Sequence, residues 1–215
     1  LQRTAAGDAL YRAVRNAVSA IDRTVDEIRE TGARKRVCVS TWASFASLWL
    51  IPRLTGFARL FPDIDIRIDA TDTMVDFGDG EVDVALRYCT GQQAPRDAIR
   101  LLEEELTPAL SPALLERIGP LESPAALGRA TLLVLEDVSS SARENSWENW
   151  FKLTGTEVPR TAPRLLFNFM DQTMQAAARG QGVVLAKTQF LRDFVERGEL
   201  VVPFEARLHS RYAVY

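Results

Sequence analysis

The sequence predicts an α/β fold: two β-α-β lobes joined by two crossing segments, with a long helix in front. Three observations carry this reading. Short apolar strands alternate with helical stretches in β-α-β order, which implies parallel sheets covered by helices. A second set of such elements follows a crossing passage at 101–110, so the pattern divides into two halves. A proline-free amphipathic run precedes the first strand. Two lobes with two crossings make a cleft, and function is expected there.

Composition limits what such a fold can do. The chain has 215 residues, the size of one large domain or two small ones at ~150 residues per domain. Lys and Arg number 26 against 29 Asp and Glu, a formal net charge of −3. That balance offers duplex DNA no attractive net field, so any DNA-contacting part is expected outside this chain. Hydrophobic residues at 47% and charged residues at 26% are those of a globular protein and exclude a disordered tail. Cys38 and Cys89 are too few for a disulfide framework or a four-cysteine zinc site. The longest strongly apolar stretch, Phe45 to Pro52, falls far short of the ~20 residues of a membrane helix. No basic segment followed by an apolar one opens the chain, which points to the cytoplasm. A sequence that starts at Leu1 instead of Met is read as a piece of a longer protein.

The elements follow in order. Thr4-Ala-Ala-Gly-Asp8 opens a helical stretch to about Glu30, with Thr4 or Asp8 as cap and Thr31-Gly32 as its end. Leu10, Val14, Ala17, Val18, Ile21, Val25 and Ile28 form its apolar face. At 1.5 Å per residue it is roughly 40 Å long. That face packs back on the body or, in the preferred reading, against another chain or a linked domain. Arg36 to Ser40 is the first strand, Thr41 to Phe61 a helix, and Ile64 to Ile68 the second strand. Phe61-Pro62-Asp63 makes the turn, and Pro52 imposes a kink or a short segment ahead of it. Val82 to Leu86 is a further strand after a Gly78-Asp-Gly80 turn. Leu101 to Leu110 crosses into the second half. There Ser111 caps a short helix with Pro112 at its first position, and Ser123-Pro124 repeats the device. Thr131 to Leu135 and Arg164 to Phe169 are strands. Asp171 to Arg179 is a helix stopped by Gly180, and Gly182 to Ala186 is the next strand. Gln189 to Glu196 is helical, and Glu199 to Pro203 crosses back.

The residue constellations argue against catalysis. His209 has no second histidine and no Gly-x-Ser-x-Gly to work with, and is read as solvent-facing. Cys38 lies between Val37 and Val39 in a strand, as core or sheet lining. Cys89 ends a strand with no recognisable base partner. Asp76-Phe-Gly-Asp-Gly-Glu81 lacks the ligand spacing of a calcium loop. Gly180-Gln-Gly182 follows a helix and precedes a strand, the reverse of the dinucleotide motif, so it is a helix stop. No metal and no cofactor are expected.

Strand ends that open helices are more informative. Ser40-Thr41-Trp42 offers backbone N–H groups and two hydroxyls, which suit a carboxylate or other small anion. Plain N-capping by Ser40 or Thr41 is compatible with that role. Asn168-Phe169-Met170-Asp171 repeats the arrangement, with Asp171 as cap. Thr71 and Asp72 follow the second strand. Arg87 supplies positive charge at the cleft or a sheet-edge ion pair. Trp147, Trp150 and Phe151 stand at helical spacing, as core or lid packing in preference to ligand stacking.

Taken together, these residues resemble the effector-binding region of LysR-type transcriptional regulators. The resemblance runs through Phe45-Ala…Trp49-Leu-Ile-Pro-Arg-Leu54…Phe57…Phe61-Pro62 and Asp76-Phe77…Glu81-Val-Asp-Val-Ala-Leu-Arg-Tyr88. It continues through Trp147…Trp150-Phe151, Gln175-Ala-Ala…Gly180-Gln-Gly-Val-Val-Leu-Ala186 and Leu200-Val-Val-Pro-Phe204…Tyr212. It spans essentially the whole chain and is nearest the branch of the glycine-cleavage activator and the β-lactamase regulator. Thr4-Ala-Ala-Gly7 resembles the end of the family's winged helix-turn-helix. The resemblance implies a type 2 periplasmic-binding-protein-like fold with a linker and dimerisation helix at 1–33. A first subdomain would comprise 34–106 and 204–215, and a second 107–203. It implies an effector pocket between them lined by Ser40, Thr41, Trp42, Thr71, Arg87, Tyr88, Phe169, Asp171 and Tyr212. Two departures stand out. Cys89 replaces the usual Gly of this branch, and the chain ends at Tyr215, where the family continues into a closing helix.

The expected function follows. A small polar effector would bind between the subdomains and modulate promoter DNA binding by an N-terminal winged helix-turn-helix absent from this chain. The partners implied are a second copy or three further copies, promoter DNA and RNA polymerase, with no membrane. The chief alternative is a solute-binding protein of a transporter, disfavoured by the long first helix. An α/β enzyme using the cleft is the other.

Overall fold

The computed structural model describes residues 35–71, 82–136 and 140–215, and before them residues 4, 6, 7, 10, 11, 13, 14, 17, 18, 21, 24 and 25. The described residues between 6 and 25 are helical, and the Gly7 N–H donates to Thr4 Oγ1 at 3.1 Å. Thr4 is thus the cap. Leu10, Val14, Val18 and Ile21 are exposed on this helix. The alternative cap Asp8, the end at Thr31-Gly32, Asp72, and the acidic and glycine turn at 76–81 lie outside the described residues. The chain divides into two compact units, Leu1–Ala46 with Leu50–Leu86, and Ser47–Trp49 with Arg87–Tyr215.

The first unit is built on a three-stranded parallel sheet. Its centre is β1 (Lys35–Thr41), flanked by β2 (Ile64–Ala70) and β3 (Val84–Ala85). The β1–β2 register runs from Lys35 opposite Ile64 to Thr41 opposite Ala70. Cys38 is buried in this sheet, as its place between two valines predicts. The third strand is shorter than the expected Val82 to Leu86, and the reason is local. Asp83 Oδ2 accepts the Cys38 N–H at 2.8 Å, so a side chain takes the place of a ladder carbonyl. Regular pairing with β1 is left only at Val39 with Val84 and Ser40 with Ala85.

The helix expected from Thr41 to Phe61 is interrupted. A short helix α1 (Ala43–Phe45) passes into a π-helical turn, Ala46–Leu50, and then into α2 (Ile51–Leu60). Pro52 explains the interruption. A proline can return no hydrogen bond to the carbonyl four residues earlier, and its ring crowds that carbonyl. Widening the turn before it relieves both problems, and the Ile51 N–H bonds Ala46 O, five residues back.

The second unit carries a mixed six-stranded sheet in the order β4-β9-β5-β8-β6-β7. Its strands are β4 (Tyr88–Thr90), β5 (Leu102–Ala109), β6 (Leu132–Leu135), β7 (Arg164–Phe167), β8 (Val183–Lys187) and β9 (Leu208–Val214). β4, β9, β5 and β8 pair antiparallel, and β8, β6 and β7 pair parallel. The helices are α3 (Pro112–Ile118), α4 (Ser140–Glu144), α5 (Trp147–Leu153), α6 (Met170–Ala178) and α7 (Thr188–Glu196). Ser111 caps α3 as expected, accepting the Leu114 N–H at 3.2 Å. Ser123 and Pro124 take the same N-cap and first positions, but the helix they open is a 3-10 turn, Pro124–Arg129, and Ser123 makes no side-chain cap; Leu127 within it is fully buried. The expected crossing at Glu199 to Pro203 pairs only once, Val201 with Leu110.

The aromatic triplet belongs to the core. Trp150 and Phe151 are fully buried with rings 5.3 Å apart, edge to face, and Trp147 donates its indole N–H to Leu133 O at 2.9 Å. They pack with Leu106, Leu127, Leu132 and Val183. The two glycines read as a helix stop have separate reasons. Gly180 has φ +71, the left-handed conformation that ends α6. At Gly182 a Cβ would lie 2.5 Å from the Thr131 carbonyl oxygen, which accepts the Val183 N–H at 2.9 Å where β8 meets β6. Gly182→Ala is therefore expected to destabilise by about 1–3 kcal/mol through overpacking. Urea unfolding checks it, and an unchanged midpoint would show that the two strands have room to part.

Candidate functional site

Four of the nine expected site residues meet in the first unit. Ser40 and Thr41 end β1, and both are completely buried. The Thr71 N–H, just past β2, donates to Thr41 O at 2.7 Å, and the Leu86 N–H donates to Ser40 O at 2.8 Å. Trp42 follows in extended conformation, its ring 4.6 Å from that of Phe45. The N-cap position falls to Trp42, whose indole makes no cap, and not to Ser40 or Thr41. The capping role expected of those hydroxyls is thereby corrected: β1 runs one residue further than expected, so the helix starts later. Thr41 Oγ1 is buried and makes no hydrogen bond in the protein. Such an atom costs about 1–3 kcal/mol to keep inside, so its retention calls for a reason.

Three more meet in the second unit. β4 and β9 are adjacent, and Thr90 pairs with Tyr212 while Tyr88 pairs with Val214. This register sets Tyr88 and Tyr212 diagonally on one face, their rings stacked with centroids 5.3 Å apart. Arg87 extends the pairing, exchanging both backbone hydrogen bonds with Tyr215 at 2.8 and 2.9 Å. Phe169 and Asp171 form a third group at the start of α6. Phe169, and not Asp171, is the N-cap, and it makes no side-chain cap. The helix begins one residue earlier than expected, leaving Asp171 in the first turn, where a carboxylate is favoured by the helix dipole.

The structure adds a polar cluster that the sequence reading missed. Glu104 is buried in β5, and Lys187 Nζ lies 2.8 Å from its Oε2. The same ammonium stands 3.6 Å from the centroid of the Tyr88 ring. The Tyr88 hydroxyl donates to Glu104 Oε1 and accepts from Asn145 Nδ2, the latter at 2.8 Å. Burial first, and then the charge of Glu104, push the Tyr88 hydroxyl far above the ordinary tyrosine range. One signal was available. Strand alternation puts Glu104 on the same face as the apolar Leu102 and Leu106.

The reactive side chains are otherwise engaged. Burial pushes the Cys89 thiol up, away from the thiolate form. His209 is exposed and pairs through Nδ1 with Glu105 Oε1 at 3.1 Å. Among the described residues, no three His, Cys, Asp or Glu side chains group to hold a metal, and no helix is long and apolar enough to cross a membrane.

Comparison with known proteins agrees with this layout. Residues 30–215 match the family described as the LysR substrate binding domain. The glycine cleavage system transcriptional activator of Escherichia coli (strain K12) is 32% identical over 212 residues, covering 99% of this chain and 68% of that protein. The transcriptional activator AmpR of Rhodobacter capsulatus is 30% identical over 199 residues, covering 92% of this chain and 65% of that protein. Among solved structures, the effector domain of AmpR from Pseudomonas aeruginosa aligns with a TM-score of 0.63 at 26% identity. That alignment covers 84% of this chain and 83% of the other. The fold is type 2 periplasmic-binding-protein-like, and the class is the effector-binding domain of a transcriptional regulator. The chain belongs to the LysR family.

Proposed function

We propose that the domain binds a small polar effector and through it sets promoter binding by winged helix-turn-helix heads elsewhere in the whole protein. The observation that carries this is the buried Thr41 hydroxyl, without a hydrogen bond and beside Ser40, Trp42 and Thr71. It is a donor and acceptor that a ligand would complete. In this reading Ser40, Thr41, Trp42 and Thr71 take one part of the effector, and Arg87, Tyr88, Phe169, Asp171 and Tyr212 the other. The working subdomains are 34–106 with 204–215, and 107–203. Binding acts by favouring one state of the domain, and only the difference in affinity between states counts. A preference of ~10⁴-fold takes a 1:99 mixture to 99:1.

The exposed row Leu10, Val14, Val18 and Ile21 supports assembly into a homodimer or homotetramer through the first helix. RNA polymerase and promoter DNA are the further partners, and the cytoplasm is the place of action. The raised Cys89 thiol and the engaged His209 support a domain without catalysis.

Calorimetric titration of the full-length protein with free amino acids tests the reading. Glycine is included because one relative activates the glycine cleavage system. Promoter footprinting with and without the compound that binds completes the test. Thr41→Val should weaken binding about tenfold, the order of one hydrogen bond, while leaving stability unchanged or raised by about 1 kcal/mol. Binding that leaves the footprint and transcription unaltered would count against the switch. Equal affinity in Thr41→Val would remove Thr41 from the site.

A further inference from the structure

The strand β5 carries three acids in a row, and only the middle one is enclosed. Glu104 is 2% exposed, whereas the Glu103 side chain is 80% exposed. The register of β5 against β9 shifts between Glu103 and Glu105, two steps along β5 facing four along β9. The extra residues lie on β9, and Glu104 keeps the inward face that alternation gives it with Leu102 and Leu106. Inside, the carboxylate meets donors from β4, the α4–α5 junction, β8 and α7. Oε1 accepts from the Tyr88 hydroxyl and from Asn145 Nδ2 at 2.9 Å. Oε2 accepts from Lys187 Nζ at 2.8 Å and from Gln189 Nε2 at 3.4 Å.

This arrangement grips Tyr88 at two points. Its hydroxyl is committed inward, to Glu104 and Asn145, and its ring face lies under the Lys187 ammonium. Stacking on Tyr212 alone would leave the ring free to slide, whereas a pinned hydroxyl fixes where the ring lies. A buried ion pair seldom adds stability over an apolar packing of the same volume, so its presence fits a need for defined geometry. We infer that Glu104 is a positioning residue: neutralised by Lys187 and shared with Asn145, it holds the Tyr88 ring against Tyr212. The consequence for ligand binding rests on the proposal that Tyr88 and Tyr212 belong to the effector site.

The test compares the wild-type chain with Glu104→Gln and with the pair Glu104→Gln and Lys187→Met. The paired variant leaves neither charge buried alone, and it carries the test if the single variant fails to fold. Two readouts are taken. Proton NMR with labelled tyrosines follows the Tyr88 ring and its contact with Tyr212, and the same free amino acids, glycine included, are titrated into each protein. In the variants the ring contact should be lost or averaged by motion. Any compound that wild type binds should bind about tenfold more weakly or worse, as for loss of a charged hydrogen bond. An unchanged Tyr88 signal in the paired variant overturns the inference, whereas a changed signal with unchanged affinity upholds the positioning role and removes Tyr88 and Tyr212 from the effector site. Should wild type bind nothing in the panel, the effector-site reading fails for that class of ligand, and the ring signal alone upholds or overturns the positioning role.

Discussion

Lys187→Met should unfold in urea with about 3–5 kcal/mol less stability than wild type, as expected when one partner of a buried pair is removed. The Lys187 side chain is 10% exposed and that of Glu104 is not exposed at all. Methionine fills much of the same space, so the packing change is small and the loss is electrostatic. The carboxylate would keep its hydrogen bonds from Tyr88, Asn145 and Gln189 but lose the only cation that reaches it among the described contacts. Adding Glu104→Gln should return most of the loss, because two neutral side chains face each other again. A double-mutant cycle separates this coupling from the packing of each residue. A single-variant loss below about 1 kcal/mol would mean that water reaches the pair and screens it.

Trp150→Ala should cost a similar amount, about 3–5 kcal/mol, for a different reason. Trp150 is fully buried and its ring meets those of Trp147, Phe151 and Phe204 within 5.3 to 6.0 Å. Truncation removes the largest fully buried side chain of the second unit and leaves a cavity that these three aromatic neighbours cannot close. Trp150→Phe should cost less, since an aromatic ring still occupies the space. Leu166→Ala, on the exposed side of β7, serves as the control and should change stability little. If Trp150→Ala unfolds at the wild-type urea concentration, the indole contributes less than its burial implies. The core would then have to collapse onto the gap.

Much of the fold was legible because it rests on local chemistry. Val37-Cys-Val39 and Val183-Val-Leu-Ala186 read as strands from their composition alone. Ser111-Pro112 read as a helix start, and Gly180 as its counterpart at a helix end, because capping is decided within a few residues. The strands β4 and β9 were not legible. Tyr88–Thr90 is too short to show alternation, and Leu208–Val214 carries His209, Ser210 and Arg211 in a row. Their pairing is a long-range event between segments more than a hundred residues apart in the chain.

The site was legible to the same degree. Ser40, Thr41, Trp42 and Thr71 were found together because a strand end and the next strand's end must be neighbours in a parallel β-α-β unit. Tyr88 and Tyr212 were named from family resemblance, and only the register of β4 on β9 explains why they touch. Glu104 and Lys187 were passed over because each looks, in sequence, like an ordinary surface charge.

The amino-acid order by itself determined the α/β class, most strand and helix positions and an interruption of the helix at Pro52. Those depend on periodicity, backbone restriction and composition, all of which act over short stretches of chain. Tertiary structure alone decided which hydroxyl is left without a partner, which donors surround the inward-facing Glu104, and which lysine neutralises it. These are outcomes of burial, and burial is a property of what other segments bring to the same place.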